Sequence, residues 1–346
     1  MTMRYGRERS DNFDFEFDRQ IIERYGSRVP SRVFDAHFHL SPTEIPNTEP
    51  DQIFNKWREY TNEYLGGDKI RGGLVMANPV LYISDLEKTE VRLNLEREFT
   101  AEIAENNDGF ANGLVLRPTD TPEIAEKWIA KYKKITVLKP YRCYAKAEDT
   151  FEADITTYAP EWMWEIAHHY GMCIILHLSH YRDGLSHPGN GEELRYLCKK
   201  YPNAKVNLAH CAMGHNPEKL KWGLHYLDGL DNVYADMGGI GEALSMIYLI
   251  KTLGTDKLMF ASDGYQFAFN QGTRCFAIGG GFLGLSNKWM ENINLPPDYA
   301  FNIIPPALEN LLAMFAAGDI CELSQSQWED IFYNNAAKLY LTPVRE

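Results

Sequence analysis

Two histidines one residue apart, His37 and His39, stand at the end of a short apolar run. In a strand, residues i and i+2 face the same way, so these imidazoles point together and can share one cation. An HxH pair alone is a weak signal. Three other apolar runs close on the same kind of side chain. His177 ends Cys173-Ile174-Ile175-Leu176-His177, His210 ends Val206-Asn207-Leu208-Ala209-His210, and Asp263 ends Leu258-Met259-Phe260-Ala261-Ser262-Asp263. A histidine satisfied inside a core would stand mid-run as readily, yet all of these stand at C-terminal ends. Histidines with a carboxylate suit zinc first, and iron, manganese or cobalt as well, as one ion or two. Such a cation lowers the pKa of water it holds, to about 7 in the best zinc sites. A neighbouring carboxylate or imidazole can then take a proton and return it. Asp263 and His210 are the candidates for that work.

These residues need a scaffold that brings strand ends together. Eight short β-branched or apolar runs recur: Arg32–Asp35, Gly72–Met76, Asn112–Leu116, Thr136–Leu138, Met172–Leu178, Lys205–Ala209, Val233–Asp236 and Lys257–Phe260. Continuous apolar runs bounded by turn residues suit strands buried on both faces of a parallel sheet. Helical segments alternate with them. Pro122–Lys134 follows an Asp-Thr cap, Pro160–Tyr170 ends at Gly171, and Glu192–Lys200, Pro217–Leu227 and Glu242–Leu253 follow. The alternation predicts an α/β chain folded as a (β/α)8 TIM barrel, residues 31–346, behind an N-terminal arm, residues 1–30, helical over Asp18–Tyr25. An open doubly wound sheet usually carries a glycine-rich loop after its first strand, and here that strand runs into Asp35-Ala36-His37-Phe38-His39. Two connections are long, Ser41–Lys69 after the first strand and Gly264–Ile303 after the eighth, the latter with Gly279-Gly280-Gly281. In a barrel both lie at the face where active sites are built.

In order and spacing, FDAHFH, WEIAHHYGMCIILHLS, VNLAHCAMG, FASDG and NNAAKLY resemble the amidohydrolase superfamily. The branch resembled is that of the aminocarboxymuconate-semialdehyde and benzoate-type decarboxylases. The resemblance spans most of Val33–Leu341. It implies that His37, His39, His177 and Asp263 hold one divalent cation, with His210 a further ligand or a base beside it. It also implies that Asp263 carries the proton for activated water. Some members of the superfamily bridge two metals with a carbamylated lysine from the fourth strand. Lys139 ends that strand here, and it can otherwise pair with a substrate carboxylate or an inward acid. Tyr141, Arg142 and Tyr144 follow as clamps for an anion or as plain loop residues. The chain departs from the superfamily pattern after the fifth strand, where His180 is added and Arg182, Asp183 and His187 follow closely. His180 can complete a second metal site, bind substrate or hydrogen-bond a loop, and Arg182 is a second substrate candidate. After the eighth strand Asp263 is followed by Gly-Tyr in place of a bulky residue and proline.

The leading expectation is a metal-dependent hydrolase of a small carboxylate-bearing amide, lactone or ester. Non-oxidative decarboxylation is the nearest rival, since the branch holds both reactions. A dinuclear iron or manganese oxygenase and a non-catalytic partner subunit are the remaining readings.

Composition narrows the field. With 346 residues, 45% apolar and 24% charged, the chain has ordinary globular usage. A net charge of −13 argues against a nucleic-acid or anionic-membrane partner. No stretch of about 18 apolar residues occurs, so no membrane span is expected. Six cysteines without CxxC pairing read as reduced thiols, and the polar N-terminus lacks a secretory pattern, so the expected location is the cytoplasm. The aromatic-rich arm suggests a homo-oligomer, dimer or tetramer, or a hetero-oligomer.

Overall fold

A computed structural model describes residues 16–43, 45, 47–79, 86–180, 183–264, 274–278, 281–285 and 305–342. Eight strands form one sheet in sequential order: β1 (Val33–Leu40), β2 (Ile70–Ala77), β3 (Phe110–Leu116), β4 (Ile135–Pro140), β5 (Cys173–Leu176), β6 (Lys205–Leu208), β7 (Val233–Asp236) and β8 (Leu258–Met259). Each pairs in parallel with the next. The last strand returns to the first through backbone bonds: Ala36 N–H donates to Phe260 O at 3.0 Å and Asp263 N–H to His37 O at 2.9 Å. The architecture is the expected (β/α)8 barrel, and every one of the eight runs supplies its strand.

Two apolar layers hold it. The larger packs strands against the outer helices and includes Phe38, Trp57, Leu114, Ile174, Leu208 and Phe260. The smaller fills the barrel with Phe34, Ala36, Leu74, Met76, Val137, Cys173 and Ile175, joined by Ala336 and Tyr340 from the last helix. Along β1, Phe34 and Ala36 belong to the filling, whereas Phe38 stacks outward on Trp57 at 3.8 Å. A register shift between Asp35 and Phe38 makes that exchange of faces. Bulges re-aim side chains in this way. Here it frees the upper inner face for His37 and His39.

The helices follow local signals. Gly171 ends Glu161–Tyr170 with φ of 70°, the left-handed conformation that glycine adopts without penalty. The connection after β1, which reads as a loop, holds the helix Pro50–Tyr64, with Ile53, Phe54, Trp57, Tyr60, Thr61 and Tyr64 buried at helical spacing. A second helix not foreseen, Leu86–Asn106, crosses between β2 and β3. Its charged surface residues dilute the apolar period. In the long connection after β8 the described part is an antiparallel pair, Arg274–Ile278 with Gly281–Leu285.

The final segment turns once as a π-helix at Asp330–Asn334 before the helix Asn335–Tyr340. The widened turn offers the Ile331 carbonyl to Phe260 N–H at 2.9 Å, tying the chain end to β8. The arm, described from residue 16, forms the helix Glu16–Gly26 and lies on the helix Pro306–Ile320, with Tyr25 stacked on Phe315 at 5.6 Å.

Candidate metal centre

The ends of β1, β6, β7 and β8 converge. His37 and His39, both buried, bring their Nε2 atoms within 3.1 Å of each other. Their other ring nitrogens decide what those atoms carry. His39 Nδ1 lies 2.9 Å from Ala77 O, and His210 Nδ1 lies 2.9 Å from Gly238 O. A carbonyl only accepts, so each Nδ1 is the protonated nitrogen. His37 Nδ1 donates to the Asp236 carboxylate at 3.0 Å. The Nε2 atoms of all three rings therefore present lone pairs to one space.

Asp263 faces the same space. Its Oδ1 is 3.6 Å from His37 Nε2 and 3.9 Å from His39 Nε2, and its Oδ2 is 3.9 Å from His210 Nε2. One ligand atom from each of His37, His210 and Asp263 falls within 4.8 Å of the others. Neutral donors that face each other at such distances repel unless a proton or cation lies between them. The set fits a divalent transition metal by its chemistry.

The protonation states agree with that fit. Burial lowers the pKa of His37, and the Lys139 charge adds to it against the pull of Asp236. Burial, His37 and Lys139 hold His39 well below its ordinary value. His37 and His39 are thereby held as neutral imidazoles near pH 7, the form that ligates. Burial alone would raise the Asp236 carboxyl, but His37 and His210 outweigh it and hold the group well below the usual carboxylate range. Asp236 is completely buried and accepts from four donors: His37 Nδ1, Asn207 Nδ2 at 2.9 Å, His210 N–H at 3.0 Å and Gly238 N–H at 3.2 Å. One carboxylate thus sets the tautomer of one imidazole and the backbone of another.

Two backbone features aim the remaining groups. After β6, residues His210 to Met213 all have φ between 51° and 59°. Four left-handed non-glycine residues in a row are strained, and such strain gathers at functional sites. Gly214 N–H closes this turn on His210 O at 2.9 Å. After β8, Asp263 is also left-handed, with φ of 62°. It is held from both sides. Asp35 accepts Ser262 N–H at 2.9 Å and Ser262 Oγ–H at 2.5 Å, and Ser262 Oγ in turn accepts Gly264 N–H at 3.0 Å. Burial pushes the Asp35 carboxyl up to about 7 against these bonds. Sequence reading passed over Asp35 and Ser262. The only signal was their position, two residues before His37 and one before Asp263.

The other candidates fall around this centre. Lys139 is fully buried at the end of β4, with Nζ 3.4 Å from His37 Nε2. Burial lowers its pKa to about 8, while Asp236 and Asp263 pull the other way. The Tyr141 hydroxyl donates to His39 Nε2 at 2.8 Å, and burial keeps the phenol protonated. His177 lies beside His210, ring centroids 5.1 Å apart, outside the tightest set. Its pKa is driven well down by burial, then by His210, Lys139 and Arg142. Arg142 lies 4.0 Å over the Phe151 ring. His180 turns to Glu152, with Nδ1 to Oε2 at 2.9 Å, and stacks on His187 at 3.5 Å. Arg182 lies outside the described residues.

The sequence matches the amidohydrolase family over residues 34–341, and the chain belongs to that family of enzymes. Solved structures share the fold at low identity. An amidohydrolase from Burkholderia multivorans, with bound HEPES, superposes with a TM-score of 0.56 at 12% identity, over 90% of this chain and 100% of its own. The 2,6-dihydroxybenzoate decarboxylase from Rhizobium gives 0.53 at 13%, over 90% and 98%. The 5-carboxyvanillate decarboxylase from Sphingomonas paucimobilis gives 0.54 at 13%, over 90% and 99%. No curated protein matches the sequence. Among the described residues, no helix is long and apolar enough to cross a membrane.

Proposed function

We propose that the protein is a metal-dependent hydrolase acting on a small carboxylate-bearing substrate at the mouth of its barrel. The observation that carries this reading is the convergence of three imidazole Nε2 lone pairs and the Asp263 carboxylate on one space. His37, His39, His210 and Asp263 would hold the cation, with His177 beside His210 as a further ligand. A divalent cation there supplies Lewis acidity, polarising a substrate oxygen and easing ionisation of water.

The chain supplies the rest. Asp236 fixes His37 and His210 and keeps Nδ1 of His37 protonated. The Asp263 side chain, 18% exposed, can reach solvent as well as the histidines, so it can accept a proton from water and deliver it to a leaving group. Lys139 and Arg142 supply positive charge for a substrate carboxylate. Tyr141 brings a hydroxyl donor to the same mouth.

A second reading, non-oxidative decarboxylation, is favoured by the overlap with two decarboxylases along nearly their whole length. The metal centre serves either reaction. One experiment tests both: incubate the metal-loaded protein with panels of carboxylate-bearing lactones, amides and aryl acids, and follow hydrolysis products and carbon dioxide separately. Turnover that stops with a chelator and returns with metal supports the centre. Activity indifferent to metal contradicts it.

A further inference from the structure

His180 stands three residues beyond His177, yet its contacts run away from the centre, to the connection between β4 and β5. That connection begins at Tyr141, on His39, and at Arg142, whose guanidinium covers the half-exposed Phe151 ring. Its far part is fastened to the segment after β5 at successive points. His180 N–H donates to Phe151 O at 2.6 Å. His180 Nδ1 donates to Glu152 Oε2 at 2.9 Å, and its Nε2 lies 3.6 Å from Asp154 Oδ1. Ser179 Oγ donates to Ala153 O. The ring is 6% exposed and lies flat on His187, 3.5 Å away and tilted by only 13°. Glu193 then receives Ile155 N–H at 2.6 Å.

His180 is left-handed, with φ of 51°. That conformation aims its N–H and its ring at the same strand of chain. A non-glycine residue seldom adopts it without support from its surroundings.

We propose that His180 is a positioning residue for substrate: a latch that holds segment 142–154 over the barrel mouth and so places Arg142 and Phe151 for an aryl carboxylate. The guanidinium takes the carboxylate and the ring covers an apolar body. The latch touches neither the reacting atoms nor the cation. The substrate half of this inference rests on the carboxylate reading above, whereas the latch itself rests on the contacts alone.

Two variants separate side chain from backbone. His180→Gly keeps the left-handed turn and removes the ring. His180→Asn tolerates the same φ and restores a donor at the δ position. The first measurement is hydrogen exchange of the full metal-loaded chain at Phe151, Glu152 and Ile155, whose amides bond to Asp149 Oδ1, Asp149 O and Glu193. His180→Gly should exchange at least about tenfold faster there, the loss expected for one hydrogen bond to a charged group, and His180→Asn should recover most of it. Metal content should be equal in all three. The second measurement is benzoate binding by calorimetry, with affinity falling by about tenfold in His180→Gly and returning in His180→Asn. Unchanged exchange in His180→Gly overturns the latch. Faster exchange with unchanged benzoate affinity overturns its role for substrate. No benzoate binding by the metal-loaded parent overturns the carboxylate reading and the substrate half with it, while the exchange data still decide the latch.

Discussion

At the residue scale, Asp236 and Asp263 divide the work of two carboxylates by environment. Asp236 is sealed and spends its lone pairs on four donors, so it is a fixed charge. Asp263 is partly open, which makes it the proposed proton carrier. Asp236→Asn replaces an acceptor oxygen by a donor amide facing His37 or His210. It should weaken metal affinity by about 10–100-fold, the usual effect of losing a carboxylate behind a ligand histidine. Titration with a competing chelator reads this directly. Asp263→Asn tolerates the left-handed φ and keeps an oxygen, so metal should largely stay while turnover falls by about 10²–10⁴. Near-normal turnover would move the proton to His210. The candidate ligands that converge here were legible in the sequence because each closes an apolar run. The partners were less so, because the donors to Asp236 come from three separate segments.

A second residue-scale prediction lies away from the centre. Asp120 is buried against Arg97 and Arg117. Burial raises its pKa, but the two guanidinium groups outweigh that and lower it overall. Its folded pKa therefore lies below the unfolded value near 3.9. Above that value both states are ionised and the full contribution is present. As pH falls through the folded pKa, the unfolded chain has already taken the proton and stability is lost. Urea unfolding should become steeply easier below about pH 4. Asp120→Asn should flatten that slope and cost about 3–5 kcal/mol at pH 7, because Arg97 is left as a buried unpaired cation.

At the element scale, the barrel brings the candidate ligands together through irregularities and not through its regular strands. The bulge in β1 turns His37 and His39 inward, the left-handed turn after β6 aims His210, and the clasp of Asp35 on Ser262 aims Asp263. Strand periodicity made the eight strands readable, since a parallel strand buried on both faces is one apolar run. A bulge changes no residue type, and a left-handed turn built without glycine carries none of the usual turn chemistry. Neither shows in the sequence. Gly264 is the exception that does show. Its φ is 87°, and an added Cβ would lie 2.7 Å from both His39 N and His39 O. Gly264→Ala should cost about 1–2 kcal/mol for the left-handed backbone and about 1–3 more for the clash. The displaced neighbour, His39, is a proposed metal ligand, so metal should be lost along with thermal stability. Calorimetry and metal content of the same preparation check both.

At the scale of the whole molecule, the centre ties β1, β6, β7 and β8 together, so a cation bound there acts as a cross-brace between the first and last strands. A ligand that binds only the folded state adds about 2.7 kcal/mol at a hundred times its Kd. Stripping the metal should lower Tm by a few degrees, and adding it back should restore Tm in a concentration-dependent way. The helix hidden after β1 belongs to this scale too. Its aromatic residues stand at helical spacing but read as a loop, and its place over Phe38 depends on the bulge that turns Phe38 outward.

The most direct test of the account is the metal content of the purified protein and of the double variant His37→Ala with His39→Ala, measured by elemental analysis on folded, monodisperse samples. The account predicts at least one tightly held transition-metal ion per chain in the parent and almost none in the double variant, with the fold retained by circular dichroism. Equal metal content in the two proteins would contradict it.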